Sequence, residues 1–262
     1  MNHHYHFSEV TLLITHYNRS TSLERLLQTF KNLDCSFGNI IISDDGSKTE
    51  HANKLLALRE TYHFELITTP QNKGLGNNIN KGQEAVKTAY TLYIQEDFVP
   101  KQSFPEHFSD ALKFMEQDES LDTVRFYSYF KYPYTKPFGK GYSEMIFKNS
   151  IWYGNHLKFY YYSDHPHLRR SNFLQKFGKY PEGIKGDKTE FSMALSFIKK
   201  KGKGLLYDDF TGIIDQVNSN NEPSTMQRSK WRESEHIFAR IARTLYLKYR
   251  LLKNTLQLVF FK

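Results

Sequence analysis

Four short apolar runs recur in the first hundred residues, and each stops abruptly at polar residues. They cover residues 10–15, 40–43, 64–68 and 91–94. Between them the pattern changes to helical spacing. Leu23, Leu26, Leu27, Phe30 and Leu33 follow Thr21-Ser22-Leu23-Glu24, which has the form of a capping box. Leu55, Leu56 and Leu58 predict a second helix, and residues 77–88 a third. Strands alternating with helices predict βαβ units joined by right-handed crossovers, and so an α/β fold with a Rossmann-like first half.

Beyond residue 100 the pattern is less regular. Residues 104–115 predict a helix and 122–129 a strand. Residues 130–165 are rich in Tyr, Phe, Lys, Gly and Pro without a clear period, the composition of a functional or mobile segment. Helical spacing returns over 187–199, residues 217–229 predict a loop, and 231–262 predict one or two basic amphipathic helices. No internal repeat is present.

A chain of 262 residues can bury one large core with appendages. The lone cysteine, Cys35, excludes an internal disulfide and a cysteine-based zinc cage, and it fits a reducing compartment. Residues 1–6 carry three histidines and no apolar core segment, so a frayed polar terminus is expected, not a signal peptide. No run approaches the roughly 18 apolar residues of a membrane span. The net charge of +8 implies an anionic partner. Much of it sits in the tail and loops, whereas carboxylates gather at the predicted strand ends, where a nucleic-acid backbone would be repelled.

Those strand ends carry the candidate chemistry. Asn39-Ile40-Ile41-Ile42-Ser43 runs directly into Asp44-Asp45-Gly46-Ser47. Thr15-His16-Tyr17-Asn18-Arg19, Asn72-Lys73-Gly74 and Gln95-Glu96-Asp97 close the other three runs. In open α/β sheets ligands bind outside the carboxyl ends of the strands, so the four clusters together describe a nucleotide-sugar site.

In order and position these motifs resemble glycosyltransferase family two, whose members are inverting enzymes with the GT-A fold. The likeness is close over residues 8–100 and loose over 120–215. It implies a GT-A domain over 1–230, with a nucleotide-sugar half (8–100) and an acceptor half (101–230), followed by a helical tail (231–262). It implies that Thr15, Tyr17, Arg19, Asp44, Asp45, Asn72, Lys73, Gly74 and Glu96 contact the donor. A carboxylate at Asp44 or Asp45 would accept the uracil N–H, the alternative being capping of the next helix. Lys73 is either a phosphate contact or a solvated turn lysine. Asn77, Asn78 and Asn80 either cap the following helix or face the donor.

Glu96 and Asp97 stand at the family's Asp-X-Asp metal motif, which implies a Mn or Mg ion neutralising the diphosphate. The chain departs from the pattern there, because Ile94 stands where the motif's first aspartate falls. A second departure concerns the general base. The usual Glu-Asp pair falls on Asp187 and Lys188, so Asp187 is the first candidate for the base and Glu190 the second. The alternative for Asp187 is a simple helix N-cap carboxylate. Arg169 and Arg170 are candidates for a phosphate contact or a surface basic cluster, and Trp152 and Tyr153 for sugar stacking or core packing.

The tail places Ile237, Ile241, Leu245, Leu252 and Leu256 roughly on one face, interspersed with Arg240, Arg243, Lys248, Arg250 and Lys253. Such a helix either lies on an anionic membrane surface or packs on the catalytic domain or a second subunit. The expectation is an inverting, metal-assisted hexosyltransferase using a nucleotide-diphosphate sugar, with UDP preferred. Its acceptor is expected to be a glycan or lipid-linked glycan. It would be cytoplasmic and peripheral on the inner face of the membrane, with no nucleic-acid partner. The rivals are a sugar nucleotidyltransferase, against which the lack of glycine in residues 15–19 counts, and a non-catalytic nucleotide-sugar-binding relative.

Overall fold

The computed structural model describes residues 4–150, 152–218, 222 and 237–261. The first half runs β1 (Tyr5–His16), α1 (Ser20–Asn32), β2 (Cys35–Asp44), α2 (Thr49–Tyr62), β3 (Glu65–Ile67), α3 (Leu75–Ala85) and β4 (Tyr90–Gln95). Next come β5 (Phe98–Pro100), α4 (Phe104–Gln117), β6 (Thr123–Arg125), β7 (Thr135–Gly139), β8 (Tyr142–Met145) and a 3-10 helix, His156–Tyr161. The remaining elements are β9 (His167–Arg170), α5 (Phe173–Phe177), α6 (Gly186–Lys199), β10 (Gly204–Tyr207), β11 (Ile214–Gln216) and α7 (Ile237–Phe260).

Nine strands form one mixed sheet in the order β3-β2-β1-β4-β9-β6-β10-β8-β7. The first four are mutually parallel, with Leu13 opposite both Ile41 and Tyr93. β9 then enters antiparallel between β4 and β6. Both faces of β1 are buried. Leu12 and Ile14 pack into one hydrophobic core cluster with Leu23, Leu26 and Phe108, and Leu13 packs into another with Ile79 and Tyr180. Burial on both sides explains why these strands read as continuous apolar runs and not as alternating ones.

The structure bears on four local expectations. The segment 130–165 holds the β7–β8 hairpin and the 3-10 helix, and its aromatics show no period because the elements are short and divide them, with Tyr132, Tyr142 and Phe159 buried and Phe138 exposed. Of the early histidines, His6 lies in β1 and bonds Ser36, His4 bonds Asp34, and His3 lies outside the described residues. The capping box at α1 does not form. Glu24 pairs with Lys54 instead, and the N–H groups of Thr21 and Ser22 donate to the Glu222 carboxylate, at 2.9 Å each. Trp152 is not core, being 84% exposed.

In the tail, α7 begins at Ile237, and residues 231–236 lie outside the described residues. One side of α7 is anchored: Leu258 is buried with Phe159 and Leu195, and Arg250 donates to the Tyr160 hydroxyl at 2.8 Å. Among the described residues no helix is long and apolar enough to cross a membrane.

Candidate functional site

The carboxyl ends of β1, β2 and β4 lie side by side, because the register pairs Thr15 with both Ser43 and Gln95. Chain reversals there are tight. Asn18 adopts φ 53°, and Gly46 adopts φ 69° with the Gln71 backbone where a Cβ would stand.

The two aspartates after β2 have separate roles. Asp44 is buried, and each of its oxygens takes two donors: His16 Nδ1–H (2.8 Å) and the Ser47 hydroxyl (2.5 Å) on one, Ser47 N–H (3.1 Å) and the Thr68 hydroxyl (2.9 Å) on the other. Burial raises its proton affinity, but the bonds from His16 and Ser47 outweigh it and leave the carboxyl well below the usual range. Asp44 therefore braces the turn. Among the described residues Asp45 accepts only the N–H groups of Lys73 (2.8 Å) and Gly74 (2.9 Å), so each oxygen keeps a lone pair free of them. Burial pushes its proton affinity up despite those bonds.

The loop after β3 is thus tied to Asp45 through its backbone, while the Lys73 side chain is exposed and Asn72 closes the turn onto Gly74 N–H. The α3 asparagines tie neighbouring segments together and do not cap their helix. Asn78 donates to the His16 carbonyl and accepts from Ser43, Asn80 exchanges bonds with the Tyr180 backbone, and Asn77 donates to Glu182. Lys81, missed in the sequence, donates to the Asp44 carbonyl at 2.6 Å. Thr15 shares a 3.1 Å hydrogen bond with the Tyr93 hydroxyl, and Tyr17 is half-buried.

Glu96 and Asp97 are both buried at the end of β4. Arg19 Nη1 lies 3.6 Å from Glu96 and 3.3 Å from Asp97, and its Nη2 donates to Asn218 and to the Glu222 carbonyl. Burial, followed by the Asp97 charge, pushes Glu96 up to about 8. Ile94 is wholly buried in the apolar core, so nothing replaces the motif's missing first aspartate. No group of three or more His, Cys, Asp or Glu that could hold a metal ion occurs among the described residues. One feature nevertheless suits a hard cation: Asp97 Oδ1 is buried and has no hydrogen-bond partner among the described residues, while its Oδ2 accepts from Gln216 Nε2 at 3.0 Å.

The second acidic cluster is reached from the first through aromatic residues. Gln216 accepts from the Tyr129 hydroxyl at 2.9 Å, and the Tyr129 ring meets His165 edge-on at 4.6 Å. The neighbouring residue, Asp164, donates its N–H to Glu190 Oε1 at 2.9 Å. Glu190 is half-buried, and burial together with Asp164 raises its proton affinity. Asp187 stands one turn earlier on α6, exposed, its carboxylate meeting only the Lys188 N–H among the hydrogen bonds seen.

Arg169 and Arg170 do not form a surface cluster. Arg169 is fully buried, donating to Gln83 and to the Tyr162 and Tyr180 hydroxyls over the rings of Tyr93 and Phe173. Arg170 is spent on the carbonyls of Met115, Asp118 and Leu121. Asp164 was also missed. Its only signal was its place immediately before His165-Pro166-His167.

A parallel four-strand half, an inserted antiparallel strand and acids at the strand ends define the GT-A class. Structural likeness agrees. Staphylococcus aureus TarS 1-349 superposes with TM-score 0.57 at 14% identity, covering 79% of this chain and 60% of that one. The same protein in complex with UDP-GlcNAc gives 0.56 at 14% identity over 91% of this chain and 66% of that one. The mannosyltransferase PcManGT from Pyrobaculum calidifontis, in complex with GDP-Man and Mn2+, gives 0.59 at 12% identity over 96% and 70%. The chain belongs to glycosyl transferase family 2, whose sequence pattern matches residues 11–180. A curated relative, the poly-beta-1,6-N-acetyl-D-glucosamine synthase of Staphylococcus aureus (strain COL), is 26% identical over 104 residues, 40% of this chain and 25% of the relative. Its Staphylococcus epidermidis counterpart is 23% identical over 110 residues, 42% of this chain and 27% of the relative. The chain thus spans about a quarter of the length of the curated relatives it matches.

Proposed function

We propose that this chain transfers a sugar with inversion from a UDP-sugar to a glycan or lipid-linked glycan acceptor. The observation that carries the reading is the continuity of two acidic clusters along one rim of the sheet, from Asp97 through Gln216, Tyr129 and His165 to Asp164 and Glu190. One cluster suits a diphosphate leaving group and the other a hydroxyl nucleophile. Relatives named for an N-acetylglucosamine polymer and a structural neighbour in complex with UDP-GlcNAc support the choice of donor.

Asp45, with lone pairs to spare, accepts the uracil N–H, while Thr15 and Tyr17 line the nucleoside and Asn72, Lys73 and Gly74 face the phosphates. Glu96 and Asp97 would hold a Mn or Mg ion, which when bound offsets the charge of the departing diphosphate. The acceptor oxygen attacks the anomeric carbon as the bond from that carbon to the diphosphate oxygen breaks, and the acceptor proton passes to a carboxylate. Glu190 is the better base than Asp187, because its raised proton affinity suits proton uptake near neutral pH. The two halves over 8–100 and 101–230 would serve donor and acceptor respectively.

The outer side of α7 supports a peripheral membrane placement on the cytoplasmic face. Leu245, Tyr249, Leu252, Leu256 and Phe260 are exposed at helical spacing, and residues 237–262 contain six Lys or Arg and no Asp or Glu. Sedimentation with anionic vesicles, lost in Leu252→Glu/Leu256→Glu, tests this part.

The function is tested by incubating the chain with UDP-GlcNAc, Mn and a β-linked N-acetylglucosamine oligomer. Release of UDP with a new linkage of inverted anomeric configuration is expected, abolished in Glu190→Gln with UDP binding unchanged. Retained turnover in that variant would remove Glu190 from the role, and retention of configuration would overturn the mechanism.

A further inference from the structure

Asp164 contributes twice to the neighbourhood of Glu190, through its backbone and through its side chain. Its N–H donates to Glu190 Oε1 at 2.9 Å. Its own carboxyl is buried, with Oδ1 accepting from the Tyr180 hydroxyl at 2.8 Å and Oδ2 without a hydrogen-bond partner among the described residues. A buried carboxylate with an idle oxygen is costly unless it serves a purpose. Tyr180 is itself fixed, its N–H on Asn80 and its hydroxyl within 3.3 Å of the Arg169 guanidinium. The arrangement therefore fixes Asp164 from behind and presents it to Glu190.

We propose that Asp164 is a positioning residue for the base: its N–H aims the Glu190 carboxylate, and its side chain sets the charge which that carboxylate meets. The inference rests on the reading of Glu190 as base. The charged and titratable groups facing Glu190 are Asp164, Arg125 on β6 and Asp187 on its own helix; those facing Asp164 are Tyr180, Arg169, Tyr162 and Tyr93. Arg125 acts in the opposite sense, lowering the proton affinity of Glu190, but it counts for less than burial and the Asp164 charge. Burial raises the proton affinity of both acids. Two acids sharing a poorly solvated pocket favour the state in which only one is charged. A proton taken from an acceptor at Glu190 would then be stabilised by the Asp164 carboxylate beside it.

The test uses the full chain and no substrate. Glutamate side chains are labelled with carbon-13 at the carboxyl, and the Glu190 resonance is assigned by its loss in Glu190→Gln. Its titration midpoint is expected above the ordinary glutamate range in the wild type, and lower by about one pH unit in Asp164→Asn, the usual scale of a neighbouring charge. A merely structural Asp164 would leave the midpoint where it was, and that result overturns the proposal. Should Asp164→Asn fail to fold, Tyr180→Phe answers the same question. Removing the bond to Oδ1 disfavours the Asp164 anion, so the Glu190 midpoint should again fall, and an unchanged midpoint would again overturn the proposal. Should Glu190→Gln retain turnover while the titrations behave as stated, the reading of Glu190 as base fails and the coupling of the two acids stands.

Discussion

The Arg19 guanidinium lies 3.3 Å from the Asp97 carboxylate, with both side chains nearly shut off from solvent. The same guanidinium donates to Asn218 at 2.7 Å, so one side chain fastens the acids after β4 to the segment that follows β11. Removing one partner of a buried charge pair leaves the other uncompensated. Arg19→Met should cost about 3 kcal/mol in chemical denaturation. Asn218→Ala, which leaves the pair itself intact, should cost about 2 kcal/mol, the worth of a single hydrogen bond to a charged group.

Asp44 and Asp45 are adjacent but should separate by experiment. Asp44 holds four donors in a buried turn, and Asp44→Ala should lower stability by about 3 kcal/mol or more, the cost of breaking a buried network. Asp45→Ala should be milder in denaturation and should weaken UDP affinity about tenfold, the loss of one charge-assisted hydrogen bond. Calorimetric titration with UDP beside urea unfolding distinguishes the two.

Asp44 also predicts an acid limb. Its proton affinity is lowered in the fold, so the unfolded chain binds the proton more readily. Its contribution to stability is therefore fully present above the ordinary aspartate range and is lost progressively as pH falls below about 4. Melting curves between pH 6 and pH 3 should drop more steeply for the wild type than for Asp44→Asn, whose curve starts lower and is flatter.

Arg169 sits between the Tyr93 and Phe173 rings at 5.2 Å and 5.0 Å and bonds Gln83 at 2.9 Å. Arg169→Lys keeps the charge but loses the planar fork that reaches Gln83 and both tyrosine hydroxyls together. It should destabilise the chain by about 2 kcal/mol or more, and its effect and that of Tyr180→Phe should not add, because the two share one network.

The parallel half of the fold was legible because its strands are buried on both faces and its helices carry one apolar stripe. The acids after β2 and β4 were legible for a related reason: a buried apolar run that ends in carboxylates has few explanations other than a strand end. What could not be read were partnerships across long stretches of chain. Thr21-Ser22-Leu23-Glu24 has the form of a capping box, yet Glu222 takes the N–H groups from two hundred residues away. Arg169 and Arg170 look like a surface pair, but the pairing of β9 with β4 draws them inward. Asp164 gave little signal beyond its place before His165, because its importance lies in Glu190 and Tyr180, which are 26 and 16 residues away in the chain.

The most direct test of the central claim is UDP binding, measured by calorimetry with Mn present, for the wild type and for Asp97→Ala. The account predicts one binding site in the wild type, with affinity reduced about tenfold or more in Asp97→Ala by the loss of one charged contact to the cation–diphosphate pair. Absence of UDP binding in the wild type, or equal affinity in the variant, would contradict a donor site at the ends of β1, β2 and β4.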